Sequence, residues 1–340
     1  MSDHPLLLQA AFASEPELAR QSWEQWLELF GHQVLDSDQT RLLPLLYRRL
    51  GAQVPGAGVL KHCYRHAWSR SRQLRRQTVE LVTELNQVGV VPILLKGAAL
   101  ANFVYPDPAL RPMSDIDLLI APADWEVAWQ RLEQLGWRYW GWASHTYTFS
   151  DSEGHELDVH RYSVPECVWP EADREFWRRS REVDLEGARA RILGPEDQLL
   201  HLTLHAVRSP GRCLVADALT LLGNHWLDWD AFYAEARARR VLGQAVEGVQ
   251  QLGHWHACPA APRLSWREQL EHRLAVRARS WVPANYLWQY LLYCRGHRRR
   301  GSLRLFLREL WGVRPEQTLV ARLVEKIIAR GGRSSGAKRG

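Results

Sequence analysis

The 340-residue sequence has little of what would set it apart from an ordinary globular protein. It holds five cysteines, Cys63, Cys167, Cys213, Cys258 and Cys294, which are odd in number, widely spaced and never paired as C-x-x-C. That pattern excludes a small disulfide scaffold and leads us to expect a reduced, cytoplasmic protein. Long hydrophobic runs are missing too. The longest, Val88 to Leu95, contains Pro92, whereas a bilayer-spanning helix needs roughly 20 apolar residues. The opening MSDHPLLLQAAFASEP has no basic leader and soon turns acidic, so it does not read as a secretory signal. No repeat of fixed period occurs. With 46% hydrophobic and 24% charged residues, neither disorder nor a collagen-like chain fits.

What is present is mildly basic and rich in tryptophan. Lys and Arg number 44 against 38 Asp and Glu, a net charge of +6, which permits a polyanionic partner without requiring one. The 17 tryptophans are scattered and read as core or half-buried helix residues.

Hydrophobic periodicity divides the chain into an N-terminal helical region (1–88), a core of strands and helices (89–193), a C-terminal helical region (194–330) and a disordered tail (331–340). In the first region Ser14-Glu15-Pro16-Glu17 has the form of a capping box ahead of Ala19, Trp23, Trp26, Leu27 and Phe30. A second helix is predicted from near Gln39 and a third from about Val59 to Leu85. In the core, Val91–Leu95 and Asp115–Ile120 read as strands and Pro122–Leu135 as a helix. Tyr147–Phe149 and Glu156–His160 read as a hairpin around a polar turn. Helices return from Glu196–Val207 and run on to Trp311–Ala329. The fold class expected is α+β, a mixed sheet between two helical regions.

The chemistry concentrates in Arg111-Pro112-Met113-Ser114-Asp115-Ile116-Asp117-Leu118. On a strand, alternate side chains share a face, so Asp115 and Asp117 project together while Ile116 and Leu118 turn away. Two neighbouring carboxylates on an apolar strand repel each other and resist desolvation. A divalent cation removes that conflict, and Mg²⁺, a hard ion that takes oxygen ligands, brings phosphate with it. Asp158 stands on a second predicted strand, sharing a face with Glu156 and His160. If the strands are neighbours, Asp115, Asp117 and Asp158 converge on one or two metals, as an in-line displacement at phosphorus requires. An Asp-x-Asp alone is more often a solvated strand edge. Here it follows Leu94-Leu95-Lys96-Gly97-Ala98-Ala99-Leu100, a strand turning directly into a helix, where Gly97 permits close backbone approach, exposed N–H groups attract anions and Lys96 adds charge.

The segment from about Val90 to His160 resembles the DNA polymerase β-like nucleotidyltransferase superfamily, and more narrowly a bacterial branch of largely uncharacterised nucleotidyltransferases. Leu95–Leu100, Tyr105-Pro106, Arg111 and Ser114–Leu118 carry the likeness, with weaker similarity through Pro195–Leu222. The resemblance implies a polymerase β-like core, catalytic Mg²⁺ (two ions) on Asp115 and Asp117 with Asp158 completing the triad, and an NTP such as ATP as donor. It places Lys96, Gly97, Ala98, Arg111 and Ser114 at the nucleotide. Ala98 departs from the pattern, since many superfamily members carry a phosphate-binding Ser there.

Other candidates carry less. His160 either lines the pocket or bonds within the sheet. His201 and His205, an i,i+4 pair, fit helix packing better than a metal site without a third ligand. His254-Trp255-His256-Ala257-Cys258 lacks ligand spacing. Two acid-free basic stretches, Lys61–Arg76 and Arg295–Arg308, hold aromatics able to stack on bases, yet their arginines spread over more than one helix face, so nucleic acid is the minority partner. Three functions fit: transfer of an NMP from an NTP to a small-molecule hydroxyl, the same transfer to tRNA or a protein, and non-catalytic nucleotide binding. The acceptor is unidentified.

Overall fold

The computed structural model describes residues 4–142, 145–169, 171–208, 211–279, 287, 288 and 290. The helix expected over 311–329, the tail, the basic stretch Arg295–Arg308 and Cys294 lie outside the described residues. The helical spacing before residue 88 folds as α1 (His4–Phe12), α2 (Pro16–Phe30), α3 (Ser37–Leu50) and α4 (Ala57–Gln87). Pro16 opens α2, where its missing N–H costs nothing, but the capping box expected at Ser14–Glu17 does not form. Glu15 is the N-cap and gives no side-chain bond. Arg49 takes the Ala13 and Ser14 carbonyls instead. The reciprocal box lies at α3, where Asp36 and Gln39 each accept the other's backbone N–H. α4 buries Leu60, Ala67, Leu74, Leu81 and Leu85 at spacings of seven and four, each Leu contributing about 1.5–3 kcal/mol by leaving water.

Among the described residues, all seven strands lie between residues 93 and 192. In order they are β1 (Ile93–Leu94), α5 (Lys96–Phe103), a 3-10 turn (Pro108–Leu110), β2 (Ile116–Leu119), α6 (Trp125–Gln134), β3 (Arg138–Trp142), β4 (Thr146–Ser150), β5 (Glu156–His160), α7 (Arg174–Arg179), β6 (Arg181–Leu185) and β7 (Ala188–Ile192). Five helices follow: α8 (Pro195–Arg208), α9 (Arg212–Asn224), α10 (Trp229–Ala238), α11 (Leu242–Leu252) and α12 (Trp266–Arg279). The sheet runs β3-β4-β5-β2-β1-β7-β6. β2 is parallel to β5 and β1 to β7, with the remaining pairs antiparallel. The fold is therefore α+β with a mixed sheet.

The apolar run Val91–Leu95 is strand over only two residues, and the expected hairpin is β4–β5. The β6–β7 hairpin was not anticipated: β6 reads Arg-Glu-Val-Asp-Leu and is exposed along most of its length, so an edge strand without an apolar face leaves no period to read. Alternation sorts the rest. Ile116, Leu118, Leu157, Val159 and Phe149 pack with α4 and α6 in one core, while Leu119 faces a second core built mainly by α8–α11. A third core joins α1–α3 to Cys213 and Ala216 of α9. Among the described residues no helix is long and apolar enough to cross a membrane.

Candidate active site

The parallel pairing of β2 and β5 sets Asp117 opposite Asp158, and the β4–β5 register sets Thr148 opposite Asp158. Since Ile116, Leu118, Leu157 and Val159 take the apolar face, both carboxylates are directed to the other, where Asp117 lines a cavity and Asp158 stands beside it. Asp117 is buried and Asp158 half-buried. Thr148 Oγ1 donates to Asp158 at 2.8 Å. His160, wholly buried on the same face, lies 3.0 Å from Asp117 through Nε2. One donor atom each of Asp117, Asp158 and His160 lies within 4.8 Å of the others. Asp115 precedes the strand, receives the Ser114 hydroxyl at 3.0 Å and lines the same cavity as Asp117, but stands outside that set.

The cavity measures about 520 Å³, within the usual range for small-molecule sites. All three stretches of the chain contribute to it. α3 gives Arg41 and Asp38, the β1–α5 turn gives Lys96 and Gly97, the segment before β2 gives Met113, Ser114 and Asp115, and β2 itself gives Asp117. His201 and His205 come from α8, and Cys213 from α9.

Lys96 is the unusual residue. Its φ of 44° is left-handed, a conformation that costs a side-chain-bearing residue about 1–3 kcal/mol. Its Nζ lies 2.6 Å from Asp117 Oδ1. Burial alone would raise the Asp117 pKa, but the Lys96 charge and the His160 bond outweigh it and hold this carboxyl well below the usual range. Asp115 moves up instead, from burial and from repulsion by Asp117, against the pull of Lys96. For Lys96, burial opposes the charge and Asp117, with Asp115 and Asp158, overrides it, so its pKa rises.

Gly97 does a different job from the one its place in the turn implies. Its backbone needs no positive φ, and a Cβ there would come 2.7 Å from Met113 Cγ and 2.9 Å from Sδ. The missing side chain admits Met113, so the conformational demand falls on Lys96. The first-turn N–H groups of any helix lack partners within it, and no side chain caps α5. The Ala98 side chain is fully buried in the α4–α6 core, which leaves only its backbone for the turn.

Arg111 lines the cavity but is also paired. Its Nε donates to both Asp217 oxygens at 2.7 and 2.9 Å, and its Nη1 to the Pro112 carbonyl at 2.8 Å. Tyr105 donates to the same wholly buried Asp217 at 2.9 Å. Arg111 thus anchors the segment leading to Asp115. The arginine open to the cavity is Arg41, which sequence reasoning missed. It reaches Ser114 Oγ at 3.1 Å and has no ion pair among the described residues. No motif marks it, because α3 and β2 meet only in three dimensions.

Burial is the main cause holding the His145 and His201 pKa values well below the ordinary range and the His205 value at about 3. These rings are neutral at pH 7. His201 Nε2 bonds the Ser163 carbonyl at 3.1 Å, and His205 reaches the cavity wall. His254, His256 and Cys258 form no metal-competent set. The donor set suits a hard divalent cation: two carboxylates a strand apart, a third beside them, and a mobile ammonium satisfying the buried one.

A family described as "Uncharacterised nucleotidyltransferase" matches residues 37–213, more than half of the chain. That range begins at α3 and ends inside α9, and takes in the cavity from Asp38 to Cys213. No curated protein matches. Solved structures that it resembles include an antigenic nucleotidyltransferase-like protein from Paracoccidioides brasiliensis, 19% identical, with TM-score 0.35, over 53% of this chain and 94% of that one. Another is the antibiotic-resistance factor ANT(2'')-Ia, 14% identical, with TM-score 0.37, over 55% of this chain and 100% of that one.

Proposed function

The chain belongs to the uncharacterised nucleotidyltransferase family, and from that premise we propose that it moves a nucleoside monophosphate from an NTP to a hydroxyl of a small-molecule acceptor. Asp115, Asp117 and Asp158 would hold Mg²⁺. The observation that carries this reading is the Asp117–Asp158 pair, aligned across two parallel strands with Asp117 lining the cavity, and with a lysine ammonium 2.6 Å from that buried member.

Each residue has a distinct task in this reading. Bound Mg²⁺ supplies charge neutralisation at the phosphates and acidity at the attacking oxygen. Lys96 leaves Asp117 and turns its charge to the phosphates, while the backbone N–H groups of Gly97 and Ala98 meet the anion at the start of α5. Arg41 and Ser114 take phosphate oxygens from the opposite wall. Arg111, fixed by Asp217, holds Ser114 and Asp115 in position. Asp158, oriented by Thr148, accepts the proton of the acceptor hydroxyl. The walls from α8 and α9 lie on the acceptor side, and the neutral His205 offers a hydrogen bond there rather than a charge.

The test is incubation with Mg²⁺ and each α-labelled NTP in the presence of a small-molecule extract, total RNA or cell protein. We expect label on a small molecule, lost in Asp117→Asn. Label on RNA or protein alone would replace the acceptor class, and no label in any mixture would leave a nucleotide-binding relative.

A further inference from the structure

The basic stretch of α4 divides into two groups once its neighbours are in place. Arg75 turns inward, bonding Glu186 at 2.8 Å and Asn102 at 2.6 Å, and Arg70 bonds Gln73 at 3.1 Å. Lys61, Arg65, Arg72 and Arg76 are exposed. At 3.6 residues per turn these four and Trp68 fall within roughly 80° of one another and span about 22 Å of helix. The arginines that seemed to cover several faces are therefore one stripe plus two residues used elsewhere. Lys61, Arg65 and Arg72 have no ion pair among the described residues. Arg76 meets only Glu80, one turn on, with both side chains mostly exposed, a geometry worth little.

In the middle of the stripe Trp68 is 46% exposed, and the Arg72 guanidinium lies 5.1 Å from its ring centroid. Both face a cavity of about 770 Å³ floored by Asp107, Pro108 and Ala109. The acids nearby are already engaged: Asp107 accepts the Tyr64 hydroxyl and the Ala109 N–H, and Glu186 holds Arg75. An exposed aromatic flanked by uncommitted cations along one line is the arrangement that tracks a sugar–phosphate backbone and stacks a base.

We propose that this face of α4 binds a single-stranded polynucleotide, with its phosphates on Lys61, Arg65, Arg72 and Arg76 and a base on Trp68 beside Arg72. The site goes beyond the reading of the transfer reaction and does not depend on it. It lies behind the Pro108–Leu110 turn, whose chain continues into Arg111–Asp115 of the reacting cavity.

The test is fluorescence anisotropy of the full chain with a labelled, mixed-sequence single-stranded RNA oligonucleotide, without NTP or Mg²⁺, over a series of salt concentrations. Four phosphate contacts predict a slope of log K against log salt of about −3, at roughly −0.7 per contact. Arg65→Gln with Arg72→Gln should halve that slope and weaken binding at least about tenfold at low salt. Trp68→Ala should weaken binding about tenfold with the slope unchanged. Thermal melts check folding. Should the double variant fail to fold, Lys61→Gln with Arg76→Gln reads the same slope from exposed positions. Absence of saturable binding, or affinity unchanged in folded variants, overturns the proposal. So does capture by phosphatidylserine vesicles that these arginines control while RNA is ignored. Because no transfer is measured, failure here leaves the nucleotidyl reaction standing, and failure of that reaction leaves this site standing.

Discussion

Two buried cation–carboxylate pairs flank the reacting cavity and are built in opposite ways. Arg111 Nε reaches both Asp217 oxygens, Tyr105 donates to the same carboxylate, and Arg111 Nη1 donates to the Pro112 carbonyl, so the pair is held from several sides. Lys96 meets Asp117 through a single Nζ, at the end of a flexible stem rooted in a left-handed backbone. A guanidinium fork presents fixed donors, while an ammonium is a point charge that can move. The first pair is architecture. In the proposed reaction the second would be a placeholder, holding a carboxylate charged until a metal ion binds.

The sharpest way to break this distinction is Asp117→Asn. Transfer should fall about 10³-fold or more, roughly 4 kcal/mol of barrier, while the melting temperature moves little because Lys96 can turn to Asp115 and Asp158. Asp217→Asn should do the reverse. Leaving Arg111 buried without its counter-charge should cost about 3–5 kcal/mol of stability in denaturant melts, with any surviving folded enzyme still active. If Asp217→Asn proves harmless to folding, the architectural reading fails.

Smaller effects follow from the turn and from Arg41. Gly97→Ala drives a Cβ against Met113, and overpacking of this kind costs about 1–3 kcal/mol. Met113→Ala should restore stability in the double variant, which a clash with nucleotide alone would not allow. Arg41→Ala should raise KM for the NTP about tenfold, ~1.4 kcal/mol, with little shift in the melt, as suits a half-buried arginine with no ion pair among the described residues. The smallest effect is on acid stability. Because the Asp117 pKa is depressed in the folded state, its contribution is full above the ordinary carboxylate range and is lost as pH falls toward the folded value. Lys96→Met removes that depression, so its stability should fall less steeply below pH 4 than that of wild type.

The sequence made some of this legible and hid the rest for identifiable reasons. Asp117 and Asp158 could be read from alternation, because a strand with one apolar face leaves its carboxylates no other direction. The pairing of Arg111 could not be read, because its partner, Asp217, lies 106 residues further along the chain, and no local signal distinguishes a phosphate-seeking arginine from a committed one. Arg41 was missed for the same reason, since α3 reaches Ser114 only through the packing of the third core. Gly97 was read as permitting close backbone approach at the turn. The structure gives the left-handed conformation to Lys96 and uses Gly97 to admit a side chain. The α4 arginines needed the positions of Glu186 and Asn102 before their free members could be told from the engaged ones.

The long reach of the Arg111–Asp217 contact also governs when the enzyme comes into being. At ribosomal speeds of about 5–20 residues per second, Asp217 is synthesised roughly 5–20 s after Arg111. β1 likewise waits for β7 before it can pair on both sides, since Ile93 lies opposite Arg191. A nascent chain that carries its three aspartates therefore lacks the anchor that fixes the loop before them until α9 has cleared the exit tunnel. A message truncated before that point yields the three aspartates without the Asp217 anchor.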